Sequence, residues 1–443
     1  MATDGLAMRH PAASASTTTI HPISQDEKKQ QEQSKKKTMA EKQQPQHQQH
    51  PGGAIKHGTG AQALRMFLFF LYFIGGCISI SVTQILGAPL YFYSKDLFYA
   101  WMAITKQQFG VLMTTMTHWW APVKMRVSGD ESMRGQLKQK EDGTLHCDFP
   151  ERLVLIANHQ IYTDWIYLWW IAYTSRMHGH LYIILKESIK YIPVLGTGMM
   201  FYGFIFLSRK WATDKERFQY RLHKLSASHK GPMSGDHYLD PMWLLIFPEG
   251  TNLSDNGRVS SKKWADKNGI PDMQHTMLPR STGLLFCLSE LERTVEYMYD
   301  CTVAYEGVPR GQFGQDLFTI RSSYFQGRPP KSVNMHWRRF RIADIPIHDE
   351  KVFGDWLLKR WREKDDLIEY YLENGRFPAD EGTSPAIDGV LEPLKGAGYI
   401  ETEVKPSNPL EFLQIFAPVA AFVLLVNVLL KFTRILLRVL RIR

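Results

Sequence analysis

The fold of this chain is decided by one stretch, Ala157-Asn158-His159-Gln160-Ile161-Tyr162-Thr163-Asp164-Trp165. Apolar residues 153–156 precede it and predict a short buried strand, while apolar residues 165–170 follow its polar turn and predict a helix. A strand, a turn and a helix start bring His159 and Asp164 together, whereas one continuous helix would point them to different faces. The sequence therefore predicts a histidine and a carboxylate paired at the end of a strand.

This pair has the composition of a general base. A carboxylate that accepts one imidazole N–H fixes the tautomer of His159 and leaves the other ring nitrogen free to take a proton. No serine or cysteine lies beside the pair in the sequence to act as a nucleophile. The proton would then come from a substrate hydroxyl that attacks an activated acyl group directly. The alternative is that His159 only orders the turn.

Composition points to a membrane rather than to nucleic acid. The chain has 443 residues, of which 44% are hydrophobic, enough for one large domain with appendages. The formal net charge of +9 indicates an anionic partner, and the hydrophobic segments favour a phospholipid surface. The basic residues are spread along the chain without a nucleic-acid-binding motif. The four cysteines have no CxxC spacing, which is typical of reduced thiols in a domain that faces the cytosol.

The chain divides into five predicted segments. They are a disordered Gln/Lys/His-rich arm at 1–62, an N-terminal membrane helical motif at 63–120, a catalytic domain at 121–378, a linker at 379–408, and a C-terminal membrane segment with a basic amphipathic tail at 409–443. Residues 66–93 are uncharged and predict either a tilted span or a re-entrant pair of half-helices. Residues 97–120 predict an aromatic, amphipathic helix at the membrane interface.

The catalytic domain alternates strands with helices, which predicts an α/β fold. Predicted strands lie at 123–127, 153–157, 181–185, 205–208, 243–247, 301–305 and 333–341. The run from Thr213 to Glu216 reads as a capping box that starts a helix. Residues 349–374 predict another helix, with Gly375 as its C-cap.

A second strand end carries polar residues. The buried run 243–247 stops at Pro248 and releases Glu249, Gly250 and Thr251 at the sheet edge where α/β proteins bind ligands. Glu249 can accept hydrogen bonds from substrate hydroxyls, and Gly250 lets a backbone come close to a substrate. The structural alternative is a simple turn.

Cations follow two other apolar runs. Lys186 and Arg209 end such runs, where a cation is usually a snorkelling surface charge but can pair with a phosphate beside an acyl-transfer site. The sequence His178-Gly179-His180 lacks further ligands at a recognisable spacing, so we predict no metal site.

An ordered set of motifs resembles the glycerolipid acyltransferase family. Asn158-His159 with Asp164 is similar to its NHxxxxD motif, residues 203–209 to its second motif, and residues 247–251 to its third. Residues 278–283, 305–309 and 336–340 resemble later stretches of the lysocardiolipin and lysophosphatidylinositol acyltransferase branch. The resemblance covers about residues 66–375. It implies the α/β sheet of that family, flanked by helices, with N-terminal membrane-embedded helices and a C-terminal hydrophobic anchor.

The resemblance also implies roles for individual residues. His159 would be the general base on a lysophospholipid hydroxyl and Asp164 would orient it, without an acyl-enzyme. Glu249, Gly250 and Thr251 would hold the acceptor. Lys186 and Arg209 would meet its phosphate, and Arg280 is a further candidate for that contact. Acyl-CoA would be the co-substrate, with no cofactor and no metal.

One position departs from the family pattern. Many members that use lysophosphatidic acid carry arginine after the Glu-Gly-Thr run, whereas this chain has Asn252. A phosphate monoester is nearly dianionic and suits a bidentate arginine, while a phosphodiester carries one charge. The sequence therefore favours lysophosphatidylinositol, although Arg209 or Arg280 could supply the charge for lysophosphatidic acid.

Location follows from the same region. Asn252-Leu253-Ser254 is a glycosylation sequon beside the predicted site, so we expect that site on the cytosolic face of the endoplasmic reticulum membrane, where acyl-CoA is available. The alternatives are acylation of lysophosphatidic acid to phosphatidic acid and an inactive membrane scaffold. Headgroup, acyl-chain preference, acylated position, topology and oligomeric state stay open.

Overall fold

The structure is a computed structural model that describes residues 49–208, 210–381 and 399–441. Its strands are β1 (Lys124–Gly129), β2 (Leu137–Gln139), β3 (Leu145–Cys147), β4 (Arg152–Ala157), β5 (Leu181–Lys186), β6 (Ile205–Leu207), β7 (Met242–Ile246), β8 (Tyr297–Tyr305), β9 (Ser332–Arg341) and β10 (Ile400–Glu403). Its longer helices are α1 (Thr59–Gly87), α2 (Lys95–Trp120), α3 (Asp164–Thr174), α4 (Leu195–Phe201), α5 (Trp211–Ser226), α6 (Asp255–Asn268), α7 (Ser281–Leu291), α8 (Glu350–Asn374) and α9 (Ala417–Arg441).

One mixed sheet organises the catalytic domain. In the described residues its eight strands follow the order β10-β1-β9-β8-β4-β7-β5-β6, and β2 and β3 form a separate antiparallel pair. Strands β4, β5, β6, β7 and β8 run parallel to one another, so their C-terminal ends meet at one side of the sheet, which we call the carboxyl edge. The residues that follow these strands are brought together there.

The central strands are buried on both faces. Leu153 and Leu155 of β4 belong to the larger apolar core, which also contains α2 and α3. Val154 and Ile156 belong to a second core on the opposite face, against α5, α7 and α8. Successive strand residues point to opposite faces. The near-continuous apolar runs of the sequence therefore correspond to strands covered by helices on both sides.

The structure confirms the predicted α/β fold, and each of the seven predicted strands is present with its ends shifted by a few residues. The helix predicted at 349–374 is also confirmed, because Asp349 caps it by accepting the backbone N–H groups of Lys351 and Val352, both at 2.9 Å. Gly375 ends it with φ of 70°. The run read as a capping box lies inside α5, which begins earlier, at Trp211.

The predicted linker is wrong at its C-terminal end. Strand β10 lies within residues 379–408 and pairs antiparallel with β1. Glu401 contacts the Lys124 Nζ at 2.8 Å and the Arg126 Nε at 2.9 Å. The linker's polar composition suits an edge strand, where charged side chains face water. Residues 382–398 lie outside the described residues.

The N-terminal arm also ends earlier than predicted. Helix α1 begins at Thr59, and the His50 Nε2 lies 2.8 Å from the carbonyl oxygen of Leu317. Residues 50–62 are therefore attached to the catalytic domain. The remainder of the predicted disordered arm, residues 1–48, lies outside the described residues.

The prediction that residues 97–120 lie at the membrane interface is wrong for most of their length. Helix α2 is largely buried in protein, and Val111 and Leu112 are fully buried. Its apolar side chains surround the helix and contact both α1 and the catalytic domain. A Cβ atom on Gly76 of α1 would lie only 2.7 Å from Leu112, so glycine permits the close approach of the two helices.

Two segments are long and apolar enough to cross a membrane, Thr59–Tyr93 and Ala417–Arg438. The most apolar window of the first is 33% buried in the protein, whereas that of the second is 0% buried. Helix α1 continues through its central glycines and ends at Gly87, just before Pro89. The pair of half-helices that the glycines suggested is therefore absent from this described segment.

A buried ion cluster supports the middle of β8. Asp300 is fully buried and contacts the Lys364 Nζ at 2.6 Å and the Arg338 Nε at 2.8 Å. Lys364 is also fully buried, and its ammonium donates to the carbonyl oxygen of Cys301 at 2.7 Å. Helix α8 is thereby attached to the strand that leads into the carboxyl edge.

We expect Lys364→Ala to lower the free energy of unfolding by about 3–5 kcal/mol, because it leaves a buried carboxylate with one cation fewer. Lys262→Ala removes an exposed ion pair with Asp266 and should change it by less than about 1 kcal/mol. Thermal unfolding of both variants in the same detergent measures the difference. Equal stabilities would contradict a structural role for the cluster.

Candidate active site

The loop between β4 and α3 is fixed to the neighbouring strand. Asn158 is fully buried, its Nδ2 donates to the carbonyl oxygen of Val303 at 3.0 Å, and its Oδ1 accepts the Val303 N–H at 2.8 Å. One side-chain amide thus extends the pairing of β4 with β8 beyond the last residue of β4, Ala157. These two hydrogen bonds fix the backbone position of the next residue, His159, at the carboxyl edge.

His159 and Asp164 form the predicted pair. The His159 Nδ1 lies 2.8 Å from Asp164 Oδ2, which also accepts the backbone N–H groups of Gln160 at 2.6 Å and Ile161 at 3.0 Å. The Asp164 side chain is fully buried, whereas 18% of the His159 side chain is exposed. The imidazole stacks on Phe247 with ring centroids 4.3 Å apart. Its Nε2 has no hydrogen-bond partner among the described residues and is free to meet a ligand.

Tyr305 is a third member of the group that sequence reasoning missed. Its hydroxyl donates to Asp164 Oδ1, and burial together with the Asp164 charge raises the pKa of Tyr305. Tyr305 is the last residue of β8, which runs parallel to β4, so its side chain reaches the same edge. The sequence signal was its place in the motif at 305–309, to which the prediction assigned no role.

Glu249 follows β7 and is almost completely buried, with 3% of the residue exposed. Its Oε1 accepts the Trp361 indole N–H at 3.4 Å, and its Oε2 has no hydrogen-bond partner within the described residues. Burial raises the pKa of Glu249 to about 8, although the nearby His159 backbone N–H and the Lys364 charge oppose the rise. Glu249 is therefore largely protonated near neutral pH, and its O–H can donate a hydrogen bond.

Gly250 and Thr251 complete this strand end. Gly250 has φ of 75°, a left-handed conformation that favours glycine, and Thr251 is half-buried. The turn keeps the Glu249 carboxyl inside while the chain reverses at the surface. The structure thus brings the three predicted acceptor-binding residues to the same edge as His159.

The predicted phosphate contacts are only partly described. Lys186 is exposed at the C-terminal end of β5 and so lies at the carboxyl edge. Arg280 is also exposed; its backbone N–H donates to the carbonyl oxygen of Pro248 at 2.8 Å, and a Cβ on Gly250 would lie 3.5 Å from its Nε. Arg209 lies outside the described residues. Arg280 is therefore the cation that the structure brings next to the Glu-Gly-Thr turn.

Asn252 connects two loops at this edge. Its Nδ2 donates to the Gln315 side-chain oxygen, and the next residue, Leu253, donates its N–H to the His159 carbonyl oxygen at 2.7 Å. Gln315 is buried. The asparagine that replaces the expected arginine is thus engaged with the loop that follows β8.

The histidines of the His-Gly-His run are inside the protein. Burial lowers the pKa of both His178 and His180 to about 4, so both rings are neutral near pH 7. The described residues contain no group of three or more His, Cys, Asp or Glu side chains that could hold a metal ion.

Two family models match the chain. Residues 124–306 match the model described as Acyltransferase, and residues 323–395 match the model described as Acyltransferase C-terminus. An uncharacterized acyltransferase of Schizosaccharomyces pombe is 36% identical over 355 residues, covering 80% of this chain and 93% of the relative. The 2-acyl-1-lysophosphatidylinositol acyltransferase of Saccharomyces cerevisiae is 36% identical over 349 residues, covering 72% and 86%. Lysocardiolipin acyltransferase 1 of Gallus gallus is 33% identical over 237 residues, covering 53% and 56%.

We expect Tyr305→Phe to lower kcat about 10- to 100-fold with little change in KM, because Asp164 loses a donor that holds it in position. Tyr299→Phe is the matched control, since it removes one hydrogen bond, to Gln136 at 2.7 Å, from the same strand. Steady-state kinetics and thermal unfolding of both variants separate the two effects. Equal kcat values with equal unfolding temperatures would contradict a positioning role for Tyr305.

A raised pKa at Glu249 predicts how stability depends on pH. The group is protonated in both states below its ordinary pKa of 4.5, and its burial is penalised progressively as pH rises towards about 8. Wild-type protein should therefore lose stability over this range relative to Glu249→Gln, which cannot ionise. Unfolding temperatures of the two proteins at a series of pH values measure the effect. Parallel curves would show that Glu249 ionises without penalty.

Proposed function

Since this chain belongs to the acyltransferase family, we propose that it is a lysophospholipid acyltransferase that uses acyl-CoA and prefers lysophosphatidylinositol as its acceptor. The product would be a diacyl phospholipid, formed on the free glycerol hydroxyl. Support for the acceptor class comes from the names of two relatives, a lysophosphatidylinositol acyltransferase and a lysocardiolipin acyltransferase.

The observation that carries the proposal is the 2.8 Å contact between the His159 Nδ1 and Asp164, which leaves Nε2 free at the carboxyl edge. Nε2 takes the proton of the acceptor hydroxyl as that oxygen bonds to the thioester carbonyl carbon. The carbon–sulfur bond then breaks, and the proton passes from Nε2 to the CoA sulfur. Asp164 stabilises the imidazolium in between. No protein nucleophile takes part, so no acyl-enzyme forms.

Glu249 has a distinct part in this mechanism. In its protonated form it donates a hydrogen bond to a polar oxygen of the glycerol acceptor. The acceptor thereby supplies the hydrogen-bond partner that Oε2 lacks within the described residues. Gly250 and Thr251 hold the acceptor beside it. A buried donor used in this way adds no charge next to His159, whose imidazolium forms during the reaction.

The headgroup preference rests on the cations at the edge. Lys186, Arg209 and Arg280 are proposed to contact the acceptor phosphate. Asn252 hydrogen-bonds Gln315, and it supplies no second charge for a phosphate monoester. This arrangement favours a phosphodiester such as lysophosphatidylinositol over lysophosphatidic acid.

Membrane attachment fits a lipid substrate. Two segments are long and apolar enough to span a bilayer, and keeping the acyl chain in lipid avoids a cost of about 0.8 kcal/mol per CH₂ exposed to water. We place the enzyme in the endoplasmic reticulum membrane with its site facing the cytosol. A glycan on Asn252 would separate it from Gln315, which argues against a lumenal site.

The test is acyl transfer by purified full-length protein from labelled acyl-CoA to a panel of lysophosphatidylinositol, lysophosphatidic acid and lysocardiolipin. We expect the highest kcat/KM with lysophosphatidylinositol. His159→Ala should lower kcat about 10²- to 10⁴-fold, the range supplied by general base catalysis. His223→Ala is the control, because His223 is an exposed histidine paired with Glu290.

Each part of the proposal fails separately in this assay. Activity retained in His159→Ala would overturn the mechanism. Preference for lysophosphatidic acid would keep the mechanism and overturn the role given to Asn252. In that case Arg280→Gln should reduce activity towards the monoester most strongly.

A further inference from the structure

Four cations lie together on α2 and α5 without a carboxylate partner. They are Lys95, Lys106, Arg221 and Lys224, which we call the basic patch. Lys224 donates to the Tyr99 hydroxyl, and Arg221 donates to the carbonyl oxygen of Gly203. Among the described residues, none of the four forms an ion pair with Asp or Glu.

Neighbouring charges are, in contrast, paired. Arg217 on α5 contacts Glu187 at 2.9 Å and Asp214 at 3.2 Å. Asp96, next to Lys95, contacts His229 at 3.1 Å instead of a patch cation. Asp240 contacts the other nitrogen of the same ring at 3.2 Å. The carboxylates near the basic patch are thus already engaged.

Lys106 is the clearest case of a cation without an anionic partner in the basic patch. It is 2% exposed, and its ammonium lies 3.6 Å from the centre of the Tyr182 ring. The face of an aromatic ring attracts a cation, but it does not replace the hydrogen bonds to water that the Lys106 ammonium loses on burial. Burial and the Arg221 charge lower the pKa of Lys106 well below its usual range, and the same two causes lower the pKa of Lys224 at the outer end of the patch. A bound anion would relieve both effects.

Helices α1 and α2 form an N-terminal helical hairpin, and the basic patch lies beside the turn that joins them. Tyr91, Phe92 and Tyr93, between α1 and α2, are 43%, 91% and 84% exposed, and the Lys95 ammonium lies 5.8 Å from the Tyr91 ring centre. Exposed aromatic rings beside cations at the end of an apolar helix are typical of the headgroup region of a membrane. The anion best suited to this position is therefore part of a lipid.

This place is separate from the active site. Tyr182 lies near the start of β5, and Lys186 is its last residue at the carboxyl edge. At about 3.3 Å per residue, the two positions are roughly 13 Å apart along the strand. The basic patch therefore lies towards the N-terminal ends of the strands, away from His159 at the carboxyl edge. A lipid bound there is not the reacting acceptor.

We propose that the basic patch binds the phosphate of an anionic phospholipid that is not a substrate. Arg221 and Lys224 contact the phosphate, Lys95 adds charge at the rim, and the bound anion favours the protonated form of Lys106 behind them. The exposed rings of residues 91–93 lie among the neighbouring lipids. Such a lipid fixes the end of the hairpin against α5 and so sets how the catalytic domain sits on the membrane.

The experiment counts lipids retained by the full-length protein. Wild type and the double variant Arg221→Gln/Lys224→Gln are titrated in detergent with phosphatidylglycerol, and bound lipid is measured by native mass spectrometry. We expect the dissociation constant of the tightest lipid to rise about tenfold or more in the double variant. Lys215→Gln/Lys263→Gln is the control, because it removes the same charge at exposed positions outside the patch. His159→Ala should retain lipid like the wild type.

Lys106 gives a second readout. Lys106→Met removes a buried amine that has no anionic partner, so its unfolding temperature without added lipid should equal or exceed that of the wild type. Phosphatidylglycerol should raise the unfolding temperature of the wild type more than that of the variant. Equal lipid retention by the patch and control variants would overturn the proposal. Binding of inorganic phosphate in preference to the lipid would also overturn it, in favour of a soluble ligand. Neither readout depends on acyl transfer.

Discussion

The buried carboxylate of Asp164 is the constraint on which the active site depends. It accepts hydrogen bonds from two backbone N–H groups of its own turn, from the His159 ring and from the Tyr305 hydroxyl. A charge removed from water needs such partners. The partners of Asp164 belong to different parts of the site, so the carboxylate holds these parts in position. The turn links β4 to α3, the imidazole is the proposed base, and the tyrosine ends β8. One side chain therefore fixes the geometry of three elements.

Helix α8 extends this control to the other loops of the carboxyl edge. Asp365 accepts the backbone N–H groups of residues 274–276 at 2.7 to 2.8 Å. Gln160 donates to the His275 carbonyl oxygen at 2.9 Å, which connects the catalytic turn to that held segment. Trp361, one turn before Asp365 on the same helix, donates to Glu249. The second family match, residues 323–395, covers this helix. Helix α8 thus supports both the turn that holds His159 and the turn that holds Glu249.

Most of the fold could be predicted because the central strands are apolar on both faces and the catalytic turn follows one of them directly. Strand β10 could not, because four residues with two carboxylates acquire a strand conformation only by pairing with β1, far away in sequence. The burial of α2 was missed for a related reason, since an apolar helix has the same sequence pattern whether lipid or protein covers it. At the site, His159, Asp164 and the Glu249 turn were predicted from local sequence. Tyr305 and the engagement of Asn252 with Gln315 depend on contacts between distant segments, which local patterns do not encode.

Two carboxyl groups at one sheet edge can divide the work because their surroundings differ. Asp164 is surrounded by four donors, whereas near Glu249 there are only the Trp361 indole N–H at 3.4 Å and the His159 backbone N–H, and its Oε2 has no hydrogen-bond partner within the described residues. Burial outweighs these few donors, favours the neutral form of Glu249 and raises its pKa to about 8. The anionic group can stabilise a positive imidazole, and the neutral one can donate to the acceptor without competing for that imidazole. If both were ionised, the charge on Glu249 would hold the proton on His159 and, in the proposed mechanism, slow its transfer to the leaving sulfur. A neutral Glu249 thus suits the role proposed for His159, first as a base and then as an acid.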